Sequence, residues 1–260
     1  MKNNQNILVT NDDGIDAKGL SALVEMLRPY GTITVVAPKE PQSGMSNAIT
    51  IATPIRFTKC EMGDGIASYI CTGTPVDCVK IAMSRLFIDQ KPDLLVSGIN
   101  HGSNASSAVL YSGTLGAAAE GVLYGIPSIG FSLATPHDPD ADFSGSIYYG
   151  RKILEQYFRF PIAPNVFLNV NFPDVPQEQI RGIHLARQGK GSWIKEFESR
   201  VDPHGYPYFW MAGEYRNDEP DAPDTDQNLL DQGYVTIVPH HLDTTHYGEL
   251  ERLLQTWKFE

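Results

Sequence analysis

The chain has 260 residues, of which 42% are hydrophobic, and it carries a formal net charge of -11 with a pI near 5.0. This length allows one large α/β domain, or one domain with an appendage, and either can bury its own core. The acidic balance argues against a nucleic-acid polymer as a stable partner, because such a partner needs a basic face. The same charge repels a phosphorylated small molecule, which would need a local source of positive potential to bind. A metal ion or convergent backbone N–H groups could supply it.

Cysteine usage and hydropathy indicate a reducing, aqueous compartment. Cys60, Cys71 and Cys78 are odd in number and lack C-x-x-C spacing, so they predict neither a disulfide framework nor a zinc knuckle. Residues 1–6 lack the apolar region of a signal peptide, and no later run approaches the roughly 18 apolar residues of a membrane span. We therefore expect a cytoplasmic protein with no membrane partner.

The first predicted element is a buried strand that ends in an acidic turn. The apolar run of residues 7–9 leads into Asp12, Asp13 and Gly14. Runs of this kind are typical of parallel strands, and open parallel sheets bind ligands beyond the carboxyl ends of their strands. Two neighbouring carboxylates repel each other, and Mg²⁺ or Mn²⁺ would offset that repulsion. An Asx-type turn with a solvated second aspartate explains the same residues equally well.

A βαβ unit follows, with helical periodicity over residues 20–27 and a second strand at residues 33–37. The polar loop that begins at Pro38 therefore lies at the same sheet edge as the acidic turn. Ser43 lies in this loop, and its position makes it a candidate ligand, although a serine beside a glycine is more often a turn residue. Residues 49–57 have the composition of a strand interrupted by proline.

A third strand at residues 94–97 runs into a predicted loop rich in glycine and asparagine, residues 98–104. Asn100 and Asn104 offer carbonyl oxygens to a metal, or amide donors to a phosphate. His101 is a candidate general acid, while a lone loop histidine is more often exposed to solvent. The pattern of a buried strand followed by polar groups has thus occurred three times.

Two short turns are predicted to open helices. Thr74 is placed to cap a helix whose first residue is Pro75. Ser112, Gly113 and Thr114 precede a second helix, where free N–H groups and the helix dipole can hold an anion. An ordinary serine or threonine cap has the same residues, so both interpretations stay open.

Further strands at residues 128–132, 166–172 and 183–187, and a helix at 143–158, complete a core domain that we assign to residues 1–187. Residues 188–260 form a C-terminal extension. Up to residue 231 it is rich in glycine, proline, aspartate and aromatic residues, and its prolines are expected to limit regular structure. Its aromatic residues predict a subunit contact or an exchanged arm, because so short a segment cannot bury them alone.

The end of the extension returns to regular structure, with a strand at residues 234–238 and an amphipathic terminal helix. His240, His241, His246 and Asp243 are clustered in the sequence, as zinc ligands are. Adjacent histidines on an extended segment point to opposite faces, however, which argues against zinc.

Together, these motifs resemble the SurE family, the stationary-phase survival proteins that are metal-dependent 5'/3'-nucleotidases. The order of the motifs carries the resemblance, which covers nearly the whole chain. The four blocks are residues 8–14 with 19–20, residues 37–47, residues 73–78 and residues 97–114. The chain departs from the family at Gln42, where much of the family has arginine, and in residues 236–242.

The resemblance implies one divalent metal ion per subunit, Mg²⁺ or Mn²⁺, and a phosphate site beside it. The implied metal ligands are Asp12, Asp13, Ser43 and Asn100. The implied phosphate-binding residues are Ser43, Asn104, Ser112, Gly113 and Thr114. The implied catalytic residues are Asp12, Asp13 and Asn100.

The resemblance also implies a fold and an assembly. The fold is α/β, with a Rossmann-like, mostly parallel sheet and helices on both of its faces. A C-terminal β-rich arm and terminal helix would be exchanged between subunits, which would give a homodimer or homotetramer.

The expected activity is hydrolysis of nucleoside 5'-monophosphates, and of 3'-monophosphates, with polyphosphate cleavage as a possible side activity. We prefer a water oriented by the metal or by a carboxylate as nucleophile, with an aspartyl-phosphate intermediate as the alternative. A nucleotide-binding regulatory protein without turnover is the rival function. A dinucleotide-dependent oxidoreductase would need G-x-G-x-x-G in the first βα turn, and residues 11–14 do not provide it.

Overall fold

The computed structural model describes residues 5–63, 65–135, 138 and 140–259. Its strands are β1 (Gln5–Thr10), β2 (Gly31–Pro38), β3 (Phe57–Glu61), β4 (Ala67–Cys71), β5 (Leu94–His101), β6 (Ser128–Leu133), β7 (Val166–Phe172), β8 (Ile183–Leu185), β9 (Gly191–Ile194), β10 (Phe197–Val201), β11 (Pro207–Met211), β12 (Glu214–Asn217) and β13 (Val235–His241). Its α-helices are α1 (Lys18–Leu27), α2 (Pro75–Arg85), α3 (Gly113–Leu123), α4 (Ser144–Arg159), α5 (Asp226–Asp231) and α6 (Tyr247–Thr256).

The central sheet has nine strands in the order β3-β4-β2-β1-β5-β6-β7-β13-β8. The six strands from β4 to β7 in this order pair in parallel. Strand β3 is antiparallel to β4 at one edge, and β13 is antiparallel to β7 near the other. The prediction of a mostly parallel sheet is therefore confirmed.

Helices cover both faces of the sheet, as predicted. Ile7 and Val9 pack in one cluster with α1 and α4, whereas Leu8, the residue between them, packs on the other face with α2 and α3. This alternation follows from the two-residue period of a strand. Because both faces are buried, each side chain of this size stabilises the fold by about 1.5–3 kcal/mol relative to exposure.

The predicted start of α2 is confirmed by its capping hydrogen bonds. The Thr74 hydroxyl accepts from the Asp77 N–H at 3.1 Å, and the Asp77 carboxylate accepts from the Thr74 N–H at 2.9 Å. The Thr74 hydroxyl also donates to the Ala48 carbonyl at 2.7 Å. The cap therefore holds the end of the loop that follows β2.

Two local predictions were wrong. No strand forms over residues 49–56, because residues 48–50 are held instead by Thr74 and Asp77. Strand β5 continues through Asn100 and His101, so these residues end a strand and do not lie in a loop. In both places a tertiary contact that sequence periodicity does not report decides the local structure.

The extension contains more regular structure than its prolines predicted. Strands β9 and β12 form one antiparallel pair, and β10 and β11 form another. Strand β13 lies within the central sheet, between β7 and β8. The division of the chain at residue 187 stays a prediction. None of the helices in the described ranges is long and apolar enough to cross a membrane.

Candidate active site

The Asp12 carboxylate lies just beyond the end of β1 and is almost completely buried. Burial raises its pKa to about 6, and the neighbouring Asp13 carboxylate acts in the same direction. Hydrogen bonds from Thr114 and from the backbone lower the pKa and offset only part of this effect. The site thus contains a carboxylate whose negative charge is incompletely compensated by the protein.

The first turn of α3 is packed against Asp12. The Thr114 hydroxyl donates to Asp12 Oδ1 at 2.5 Å. A Cβ atom on Gly113 would lie 3.0 Å from both the Cβ and Oδ2 atoms of Asp12, so a glycine permits this approach. Ser112 caps the helix, with its hydroxyl accepting from the Leu115 N–H at 3.1 Å. Ser112 is therefore a helix cap, and the anion-binding interpretation of the turn stays a prediction.

Asp13 is joined to the end of β5. Its Oδ2 atom accepts from the backbone N–H of His101 at 3.0 Å and lies 3.3 Å from His101 Nδ1. The His101 side chain is only 14% exposed, and its ring packs edge-on against Phe143. Asn100, the preceding residue, donates through Nδ2 to the Gly102 carbonyl at 2.7 Å, which leaves its amide oxygen as the remaining acceptor.

The loop after β2 joins the acidic turn to the start of α3. Its backbone contacts include the Gln42 N–H to the Asp12 carbonyl at 2.7 Å and the Ser46 N–H to the Tyr111 carbonyl at 3.1 Å. Ser43 is exposed and follows Gln42 directly in this loop. The loop that carries Ser43 therefore lies at the carboxyl edge, as the βαβ argument predicted.

Asn104 lies on the β6–β7 side of the same edge. It is almost fully buried, and its side-chain Nδ2 donates to Ser132 Oγ at 2.8 Å. Its backbone is bonded to side chains of β7 and not to the acidic turn. The predicted site residues therefore form two groups, one around Asp12 and Asp13 and the other around Asn104.

The donors of the first group fit a hard divalent cation. Asp12 and Asp13 supply carboxylate oxygens, and Asn100 supplies an amide oxygen beside His101, which is itself bonded to Asp13. Oxygen donors of this kind suit Mg²⁺ or Mn²⁺. The described residues contain no cluster of three or more His, Cys, Asp or Glu side chains suited to a metal.

Sequence reasoning underestimated His101 and missed two asparagines. His101 was expected to face solvent, but its backbone N–H contacts Asp13 and its ring is largely enclosed. Asn169 and Asn171 were assigned only to a strand, although both are fully buried and bonded to the Asn104 region. Two asparagines at alternate positions of an apolar strand were the signal that could have identified them.

The fold and the site together define a class of protein. It is a mostly parallel α/β protein with helices on both faces of its sheet. At the carboxyl edge of that sheet, where such folds bind small ligands, the buried Asp12 carboxylate lies beside the partly exposed Asp13. The family described as "Survival protein SurE" matches residues 7–195. The chain belongs to the SurE family.

Individual relatives match over nearly their whole length. A protein of Phocaeicola vulgatus named 5'-nucleotidase SurE is 45% identical over 254 residues, covering 98% of this chain and 97% of its own. One of Cytophaga hutchinsonii with the same name is 46% identical over 253 residues, covering 97% of each chain. The crystal structure of the SurE protein from Aquifex aeolicus is 34% identical, with a TM-score of 0.82 over 96% of this chain and 98% of its own.

Proposed function

We propose that this chain is a divalent-metal-dependent phosphomonoesterase that hydrolyses nucleoside 5'-monophosphates to nucleoside and phosphate. The structural observation that carries the proposal is the buried Asp12 carboxylate, which lies between Asp13 and the first turn of α3. The relatives from Phocaeicola vulgatus and Cytophaga hutchinsonii are both named 5'-nucleotidase SurE, which supports the same activity. A cation bound at this place would offset the repulsion between an acidic protein and a phosphate group.

Asp12, Asp13, Ser43 and Asn100 are the proposed ligands of one Mg²⁺ or Mn²⁺ ion per subunit. When bound, such an ion neutralises phosphoryl oxygens and offsets the charge that builds in the transition state. Five residues from both groups, including the metal ligand Ser43, are proposed to hold the phosphate. These residues are Ser43, Asn104, Ser112, Gly113 and Thr114.

The protein's own part in the reaction is orientation and proton transfer. A water oriented by Asp12 or Asp13 attacks phosphorus, and one of these carboxylates takes up its proton. The bond from phosphorus to the ester oxygen breaks, and that oxygen leaves as the nucleoside hydroxyl with the proton that the carboxylate took from the water. His101 contacts Asp13 through its backbone N–H and so helps to hold that carboxylate in place.

An aspartyl-phosphate intermediate on Asp12 or Asp13 is the alternative route. Rapid acid quenching of the enzyme during turnover of ³²P-labelled AMP distinguishes the two. Label that stays on the protein and is released by hydroxylamine would refute direct attack by water.

The substrate range, assembly and location also belong to this proposal. We include nucleoside 3'-monophosphates as substrates and polyphosphate as a minor one. We also propose a homodimer or homotetramer, because the β10–β11 hairpin leaves Phe197, Phe209 and Trp210 more than half exposed. The cytoplasmic location and the lack of a nucleic-acid or membrane partner stay predictions.

A metal-by-substrate panel tests the activity. The purified chain is incubated with Mg²⁺ or Mn²⁺ and with 5'-AMP, 3'-AMP or polyphosphate, and released phosphate is measured against the Asp13→Ala variant. We expect metal-dependent release from 5'-AMP that the variant lacks. Tight AMP binding without release in any metal would instead support the regulatory function.

A further inference from the structure

Strand β7 carries two asparagines in an otherwise apolar run. Asn169 and Asn171 are both fully buried, and they share one face of the sheet because they are two residues apart. A buried carboxamide is unfavourable unless its donors and acceptor are hydrogen-bonded. The partners of these two side chains therefore show what the asparagines do.

The two side chains close a ring of hydrogen bonds around the backbone of Asn104. Asn171 Oδ1 accepts from the Asn104 N–H at 2.8 Å, and Asn171 Nδ2 donates to Asn169 Oδ1 at 2.9 Å. Asn169 Nδ2 then donates to the Asn104 carbonyl at 2.9 Å. The backbone N–H needs an acceptor and the carbonyl needs a donor, so each side-chain amide has only one orientation that satisfies the ring.

A fourth bond holds the Asn104 side chain. Its Nδ2 atom donates at 2.8 Å to Ser132 Oγ on β6, directly beside Asn171 in the paired strands. Asn104 is thus held at its N–H, its carbonyl and its side chain by residues of β6 and β7. The proposed metal ligands lie on other elements, since Asp12 and Asp13 follow β1 and Asn100 lies in β5. The backbone of Asn100 pairs with Ser132, but the Ser132 hydroxyl bonds to Asn104.

We propose that Asn169, Asn171 and Ser132 are positioning residues that hold Asn104 in the geometry needed to bind the substrate phosphate. This inference rests on the proposed function, in which Asn104 binds phosphate. On this proposal, different residues hold Asn104 and the metal ligands. A substitution in the ring therefore weakens phosphate binding while the metal ligands keep their places. A purely structural role would weaken both kinds of binding together.

The test measures two affinities by isothermal titration calorimetry on the full-length protein. One titration uses Mn²⁺ alone, and the other uses inorganic phosphate in saturating Mn²⁺. For Asn171→Ala we expect the dissociation constant for phosphate to rise by at least about tenfold, because Asn104 loses its acceptor and shifts. We expect the dissociation constant for Mn²⁺ to change by less than about twofold, since that set of ligands is not touched.

Two serines of β6 provide a matched pair of smaller changes. Ser132 and Ser128 are both fully buried, but Ser128 lies at the other end of the strand and donates to the Ile126 carbonyl. We expect Ser132→Ala to weaken phosphate binding by about threefold to tenfold, the cost of one hydrogen bond. Ser128→Ala removes the same atoms and should leave both affinities unchanged. This pair decides the question if Asn171→Ala does not fold.

Three results would overturn the proposal. They are wild-type phosphate affinity in Ser132→Ala, an equal loss of Mn²⁺ and phosphate affinity, or no phosphate binding by the wild-type chain. Failure of the proposed nucleotidase function is a separate result, because phosphate binding without AMP hydrolysis would refute the activity and leave the positioning role supported.

Discussion

The carboxyl edge of the central sheet and the β10–β11 hairpin depart from ordinary protein surfaces in opposite ways. At the sheet edge, polar and charged side chains such as Asp12, Asn104 and Asn171 are buried. On the hairpin, large apolar side chains such as Phe209 and Trp210 are exposed. Buried polar groups and exposed apolar patches are the informative exceptions to the usual pattern of burial.

The two regions present different kinds of surface. The edge holds its polar groups in fixed directions through the surrounding fold, which is what a small charged ligand needs. The hairpin offers apolar area of the kind that protein interfaces bury, as the proposed subunit contact requires. Changes at the edge should therefore affect turnover most, and changes in the hairpin should affect assembly most.

The largest effect is expected for Asp12→Asn. The amide has the same size but removes a negative charge from the proposed metal site, so we expect kcat/KM for 5'-AMP to fall by at least about a thousandfold. Asp16→Asn, at an exposed aspartate four residues further on, is the control and should retain wild-type activity. More than a tenth of wild-type activity in Asp12→Asn would contradict this role.

The same variant should be as stable as the wild type, or more stable, when no metal is bound. Burial and Asp13 raise the pKa of Asp12 to about 6, so at pH 7 the ionised form opposes folding. The uncharged asparagine removes this cost. Differential scanning calorimetry at pH 7 in a chelator measures it, and a clearly lower Tm for Asp12→Asn would show that the charge is compensated after all.

Removal of the metal is expected to reduce turnover about as much as Asp12→Asn does. Dialysis against a chelator should abolish phosphate release, because two adjacent carboxylates then repel the substrate phosphate. Addition of Mn²⁺ or Mg²⁺ should restore it, whereas Na⁺ at equal ionic strength should not. Undiminished activity in a preparation shown by elemental analysis to be metal-free would exclude the proposed cofactor.

An intermediate effect, on stability, is expected for Asp226. This residue lies where the C-terminal extension meets the carboxyl edge of the sheet. This fully buried carboxylate accepts from the Ser106 N–H at 2.9 Å and the Gly189 N–H at 2.8 Å. Asp226→Ala leaves these two donors and the Gln227 N–H, which also bonds to Asp226, unpaired. It should reduce the free energy of unfolding by about 2 kcal/mol or more. Urea unfolding measures the loss, and Asp226→Asn, which keeps one acceptor, should lose less.

The smallest effect on turnover is expected in the hairpin. A double variant, Phe209→Ser with Trp210→Ser, removes exposed apolar area and should shift the oligomer toward smaller species in light scattering. We expect kcat per subunit to change by less than about threefold, because these residues do not touch the site. Arg200→Ser on the facing strand is the control. An unchanged molar mass would refute the hairpin as a subunit contact.

Local patterns in the sequence predicted the strands that carry the site. The apolar runs before Asp12 and in residues 94–97 form parallel neighbours, and the strand ends meet at one edge as expected. Thr74 caps α2 as its spacing predicted. These features depend on periodicity and capping, which are properties of neighbouring residues.

The features that the sequence did not predict depend on distant contacts. Nothing local indicates that β13 lies between β7 and β8, or that His101 contacts Asp13 across 88 positions of the chain. The ring around Asn104 likewise joins residues more than 60 positions apart. Pairings of this kind are decided by the assembled sheet and leave only a weak trace in the sequence.

The most direct test of the edge as a metal site is the anomalous scattering of Mn²⁺ in crystals of this protein. We predict one strong peak per chain within bonding distance of the Asp12 and Asp13 carboxylates, and no such peak in crystals of Asp12→Asn. A Mn²⁺ peak elsewhere with none at these carboxylates, in crystals of active protein, would contradict the account.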